Sequence, residues 1–337
     1  MSKKSLLKSI VLALGICGLS TLGLANIKSI TGAGSTFVYP VLSQWAVTYH
    51  KKTGIAINYQ PIGSGGGLRQ LNNKTVNFAA SDKPLTKQQL DEKGLIQFPV
   101  IVGGIVPIVH VQGLKANQLL LNGKVLADIY LGKVKYWNDP AIQKLNPGLT
   151  LPHTVIVPVR RADGSGTTYN FTNYLSKVSP VWKSKVGFST DVQWPSMALG
   201  AKGNAGVAAQ VQTIPNTIGY VEYAYAIQNK LTTVKMVNAD GKTVVASLDS
   251  FKAAASNAKW SSDKGFYMIL TNAPGKNSWP IAASTFVLLY KKELKNDTGK
   301  AIVKFFKWVY SDGGEFATKL DYVAIPKNVN SIVEHMW

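Results

Sequence analysis

Arg160-Arg161-Ala162-Asp163-Gly164-Ser165-Gly166-Thr167 is the stretch that decides the fold. The residues before it, 155–159, are apolar and β-branched, which predicts a strand. The residues after it carry Tyr169, Phe171 and Tyr174 at helical spacing. A strand therefore ends in a Gly/Ser/Thr turn that opens a helix. Such a turn leaves backbone N–H groups unpaired at the positive end of a helix dipole, where an anion can sit. The same arrangement occurs twice more upstream. Gly34-Ser35-Thr36-Phe37 precedes a helix marked by Val41, Leu42, Trp45 and Tyr49, which stops near Gly54. Gly63-Ser64-Gly65-Gly66-Gly67 follows a strand at 55–59 and opens a second helix. A further strand, 76–80, ends at Ser81-Asp82, and a Gly-rich turn at 200–206 precedes another helical segment. Near the C-terminus come an apolar strand at 285–290 and a helix over 301–310 with Ile302, Phe305, Phe306 and Val309 inward. Short strands alternating with amphipathic helices predict an α/β fold, and ligands of such folds collect at the carboxyl ends of strands. The apolar run 98–111 is interrupted by Gly103, Gly104 and Pro107 and reads as separate buried strands.

The composition supports a packed protein, with 46% hydrophobic residues among 337. That excludes a disordered chain, and the length suggests two domains. The charge is unusual, with 37 bases against 17 acids and a formal +20. Only three bases are arginine, Arg69, Arg160 and Arg161, so the adjacent pair stands out. Arginine offers a rigid bidentate fork where lysine offers a hydrated point charge. The positive field favours anionic partners without choosing among them.

Residues 1–25 follow the pattern of a cleavable signal peptide: a basic start with Lys3, Lys4 and Lys8, an apolar stretch over 10–24, and a small-residue site ending at Ala25. Export to the periplasm is the expectation. Lipid attachment at Cys17 is the weaker alternative, because Ile16 is too bulky for a good lipoprotein box. Cys17 is the only cysteine, so a mature chain from Asn26 has no thiol and no disulfide. It then has 34 bases against 17 acids, still +17.

Enzymatic readings find little support. No Gly-x-x-x-x-Gly-Lys-Ser/Thr loop occurs, and neither Ser64 nor Ser165 has the flanking glycines of a hydrolase elbow. His50, His110, His153 and His335 are scattered without metal spacing, and His110 reads as a core histidine. The paired lysines 183/185 and 291/292 read as solvated faces. They lack interleaved aromatic residues, so no specific nucleic-acid binding is expected.

Five strings taken together, TGAGSTF (31–37), IGSGGG (62–67), ASDKPL (80–85), RRADGSGT (160–167) and IGYVEYAYA (218–226), resemble the periplasmic phosphate-binding proteins of high-affinity bacterial phosphate ABC transporters. The likeness runs in order over nearly all of the mature chain. It implies a periplasmic-binding-protein-like fold of type II, with two α/β lobes, each around a mixed sheet, joined by two hinge crossings. One lobe would comprise residues 26–105 plus 281–337, and the other residues 106–280. The resemblance carries the phosphate contacts onto Thr36, Phe37, Ser64, Asp82, Arg161, Ser165, Gly166 and Thr167, with Asp163 holding the arginine from behind. Gly65 departs from the pattern, since relatives often carry serine there, and a secondary contact is expected to be missing. The implied role is capture of inorganic phosphate by a monomer and delivery to membrane permease subunits served by a cytoplasmic ATPase, with no metal, no cofactor and no covalent chemistry.

Overall fold

The computed structural model describes residues 27–195 and 197–337; the predicted signal peptide and Cys17 lie outside them. The fold is α/β. Eight strands form one hydrogen-bonded path: β1 (Ser29–Gly34), β2 (Ala56–Gln60), β3 (Phe78–Ser81), β4 (Leu95–His110), β5 (Val157–Arg161), β6 (Leu199–Ala201), β7 (Thr217–Glu222) and β8 (Ala282–Tyr290). Their order is β2-β1-β3-β8-β4-β7-β5-β6. The two ends of the path are parallel, β1 with β2 and β3, and β5 with β6 and β7. The middle is antiparallel.

Strand β4 holds the molecule together, and here the sequence reading is corrected. The run read as separate strands is a single strand of 16 residues, almost wholly buried. Residues 95–104 pair with β8 and residues 105–110 with β7, so one strand serves both halves. Gly103 and Gly104 do not break it; they make room for rings. A Cβ on Gly104 would fall 2.1 Å from the Phe251 ring, and one on Gly103 would fall 2.9 Å from Phe37.

The helices that matter for the cleft follow strand ends: α1 (Tyr39–Thr53) after β1, α2 (Ser64–Asn72) after β2, α3 (Gly166–Val178) after β5 and α4 (Gly203–Thr213) after β6. The C-terminal helix α5 (Asp297–Ser311) returns to the first half. Its Phe306 meets Phe78 and Phe98 edge-on, with ring centres 5.5 and 5.4 Å apart, and Phe305 meets Tyr49 at 5.0 Å. In the second half Phe171 lies flat on Tyr220 at 4.0 Å, beside Tyr130. Each half thus has its own aromatic core, and β4 and β8 carry the chain between them. His110 sits at the end of β4 with Nδ1 3.0 Å from the Val211 carbonyl, a satisfied structural histidine.

Candidate functional site

The carboxyl ends of β1, β3, β5 and β6 meet in one buried cleft between the two aromatic cores. The first turns of α1, α2, α3 and α4 contain no acidic residue, so nothing in them offsets the positive ends of their dipoles. The nine residues singled out in the sequence converge there. Thr36, Ser64, Asp82, Arg161, Ser165 and Thr167 are all buried, as is Phe37.

Arg161 is held from behind. Its Nε and one terminal nitrogen donate to the two oxygens of Asp163, at 2.8 and 2.6 Å. Burial alone would raise the Asp163 carboxyl. The Arg161 hydrogen bonds and charge, with the Gly203 N–H at 3.0 Å, outweigh it and hold the group below its ordinary range. The other terminal nitrogen of Arg161 reaches the Thr167 hydroxyl at 3.4 Å. A bidentate buried pair of this kind fixes the guanidinium plane. Arg160 turns instead to the Arg161 carbonyl, at 3.1 Å.

Asp82 is the carboxylate facing the ends of α2 and α3, as Asp163, through the Gly203 N–H, faces that of α4. Burial raises its pKa to about 6, against the hydroxyls of Ser35 and Thr285, the charge of Arg161 and the hydroxyl of Ser64, which all pull it down. Both Ser35 and Thr285 donate to Oδ1, at 2.6 and 2.7 Å. Oδ2 points toward Gly166. A Cβ on Gly166 would lie 2.6 Å from it and 2.4 Å from Ser64 Oγ, so the two halves approach here with no room for a side chain.

Counting protons gives the site its character. Thr36 Oγ1 accepts from the backbone and side-chain nitrogens of Asn204, at 3.2 and 2.7 Å. Thr167 Oγ1 accepts from Arg161 and from Asn204, at 3.4 and 3.2 Å. Ser165 Oγ accepts the Thr168 N–H as helix cap, at 3.0 Å, and Ser64 Oγ accepts the Asp82 N–H at 3.2 Å. Each of these oxygens is occupied as an acceptor, and none of these bonds uses its own proton, though that of Ser64 already faces Asp82. A hydroxyl so arranged is a donor. The cleft therefore presents hydroxyl donors and an arginine, with Asp82 Oδ2 as acceptor.

Residues the sequence reading missed complete the frame. Asn204 bridges the halves, and its Oδ1 accepts the Glu222 N–H at 3.0 Å. Only the Gly-rich turn at 200–206 hinted at it. Ser35 lay unread inside TGAGSTF, and Thr285 had no local signal. Gly65 uses its N–H to bond Gly164 O across the cleft, at 2.9 Å. A Cβ at Gly65 would stand 3.2 Å from Gly164 Cα, so a serine would press on that contact.

Two tyrosines brace the β1–α1 turn. Tyr225 donates to Thr36 O and Tyr322 to Phe37 O, each at 2.7 Å. Tyr322 Oη also lies 2.7 Å from Glu222 Oε2. Tyr322 is the donor in both contacts, its one proton shared between the Phe37 carbonyl and the Glu222 carboxyl. Burial raises the Glu222 pKa to about 8, Tyr322 and the Ala224 N–H pull it down, and the charge of Asp82 raises it further. Burial thus favours the neutral acid.

Among the described residues no His, Cys, Asp and Glu cluster could hold a metal, and no helix is long and apolar enough to cross a membrane. Residues 20–313 match the model of the PBP superfamily domain. The phosphate-binding protein PstS of Haemophilus influenzae is 50% identical over 319 residues, 95% of either chain. That of Xylella fastidiosa is 51% identical over 308 residues, 91% of this chain and 84% of the relative. The crystal structure of a DING protein superposes with a TM-score of 0.73 at 20% identity, over 91% of this chain and 93% of that one. A putative phosphate ABC transporter substrate-binding protein with bound phosphate from Clostridium perfringens gives 0.64 at 20% identity, over 88% and 100%. At that identity the structures speak for the fold, and it is the sequence relatives that settle kinship: the chain belongs to the PstS family of phosphate-binding proteins.

Proposed function

We propose that the cleft takes one inorganic phosphate ion, enclosed between a lobe of residues 26–105 plus 281–337 and a lobe of residues 106–280. The observation that carries this is the proton inventory. Thr36, Ser165 and Thr167 are oriented as donors, Ser64 donates toward Asp82, the Gly166 N–H lies at a helix start, and Arg161 supplies charge. Asp82 is the exception that selects the ligand. Near neutral pH phosphate keeps at least one O–H, and an ionised Asp82 Oδ2 accepts it. Sulfate has no proton to give. It would meet a like charge and leave a buried acceptor unmet, which costs about 1–3 kcal/mol for the unmet group alone. Discrimination thus comes from a repulsive element.

The protein acts by binding and release, without covalent chemistry. Contacts reach the ion from both lobes, so binding favours closure, with Asn204–Thr36 and Gly65–Gly164 as the latch. In this reading the exported monomer works in the periplasm, after removal of residues 1–25, and hands phosphate to permease subunits driven by a cytoplasmic ATPase. The test is competition of sulfate and arsenate against labelled phosphate at fixed ionic strength. Wild type should reject sulfate and admit arsenate with some loss. Asp82→Asn should keep phosphate binding and lose part of the preference over sulfate. Comparable binding of sulfate and phosphate by wild type would end the assignment.

A further inference from the structure

The phosphate cleft absorbs one arginine and leaves the lysine surplus unexplained. Part of that surplus is gathered at one place. Lys74, Lys93, Lys291, Lys292 and Lys295, with Tyr290, line an open groove of about 670 Å³. Lys74 stands in the turn after α2, Lys93 ends the helix Lys87–Lys93, and the other three belong to the 3₁₀ turn Lys291–Lys295. The walls are tied together, since Lys291 N bonds Gly94 O at 2.9 Å and Tyr290 pairs with Leu95. All five lysines are exposed. Among the described residues none has a carboxylate oxygen within 4.0 Å. The neighbouring acids are engaged elsewhere, Asp91 with Lys87 and Glu293 with Asn296. The groove is separate from the cleft. Strand β8 reaches Asp82 through Thr285 and the groove through Tyr290, five residues or about 17 Å along an antiparallel strand.

We propose that this groove binds a linear polyphosphate, a chain of phosphates joined by anhydride bonds. Five like charges facing one concavity repel each other, and a dense anion relieves that repulsion. Lysines are point charges that read charge rather than shape, which suits a chain whose repeating unit is the charged group itself. A single-stranded nucleic acid would call for aromatic platforms. Tyr290 is the one ring lining the groove, and the Lys292 ammonium already lies over it at 5.9 Å. An anionic bilayer is flat and is gripped by exposed apolar side chains, and none of the exposed large hydrophobic residues lines this groove.

The test titrates medium-chain inorganic polyphosphate into the full protein with saturating phosphate present, so that the cleft is filled. Two five-fold variants carry the same change of charge. One has Lys74, Lys93, Lys291, Lys292 and Lys295 changed to Gln. The other has Lys115, Lys183, Lys185, Lys230 and Lys242 changed to Gln, all exposed and outside the groove. The groove variant should lose polyphosphate affinity tenfold or more and keep its phosphate affinity, which shows it folded. The control variant should stay within about twofold. With five contacts, the rule for flexible single strands gives an affinity that falls by about three to four decades per decade of salt. On the unmodified protein, polyphosphate should protect the same five lysines from acetylation. Equal losses in both variants, or binding of a DNA oligonucleotide or anionic vesicles as tight as polyphosphate, would overturn the proposal.

Discussion

Changing Glu222 to Gln should reshape the pH dependence of stability. The wild-type carboxyl is buried without exposure, and its pKa moves from an ordinary 4.5 to about 8 on folding. The folded chain thus binds this proton more tightly than the unfolded chain. Stability owed to the group is complete below pH 4.5 and is withdrawn as the pH rises toward 8, by about 5 kcal/mol in all, at about 1.4 kcal/mol per pH unit. An amide cannot titrate, so the variant escapes that loss. It also gives something up. Oε2 accepts the Tyr322 hydroxyl and the Ala224 N–H, at 2.7 and 3.0 Å; an amide oxygen can take that place, but the amide nitrogen is then buried at the Oε1 position, where no partner stands among the described residues. The unmet amide costs about 1 kcal/mol. Glu222→Gln should therefore be about 1 kcal/mol less stable than wild type at pH 5.5. Between pH 5.5 and 8.5 the difference should shift by about 3 kcal/mol in its favour, making it the more stable form at the alkaline end. Asp82 titrates lower, at about 6, and is common to both proteins, so its own contribution cancels apart from its coupling to Glu222, whose pKa its charge raises. The assay is urea unfolding at several pH values with phosphate removed. Parallel pH profiles for the two proteins would refute the raised pKa of the buried acid.

Arg161→Lys keeps the charge and loses the fork, and should weaken phosphate binding at least tenfold by calorimetry, while Arg160→Ala, whose side chain turns to a carbonyl, should stay within about twofold. Asn204→Ala removes three hydrogen bonds that join α4 to Thr36, Thr167 and the Glu222 N–H. It should cost about tenfold or more in affinity, and small-angle scattering should show a smaller contraction on adding phosphate than in wild type.

The parts of the site written in local turn chemistry were legible in the sequence. RRADGSGT announces a strand end, a fixed arginine and a capped helix within eight residues, because each of those is a short-range device. Asn204 and Thr285 were not legible, because their meaning lies in partners 168 and 203 residues away. Glu222 was quoted inside IGYVEYAYA and passed over, since nothing local shows that its carboxyl will be buried beside Tyr322, a hundred residues away. The unity of β4 was hidden for a related reason. Gly103, Gly104 and Pro107 look like breaks until the rings of Phe37 and Phe251 are seen to need the space. The alternation of strands and helices, by contrast, follows from hydrophobic period alone, and it carried the fold class.

The most direct measurement of the central claim is calorimetry on protein stripped of ligand by unfolding and refolding, titrated with phosphate and, separately, with sulfate at the same ionic strength. One phosphate should bind saturably per chain, with no comparable heat from sulfate. No phosphate binding by a correctly refolded chain, or equal binding of the two anions, would contradict it.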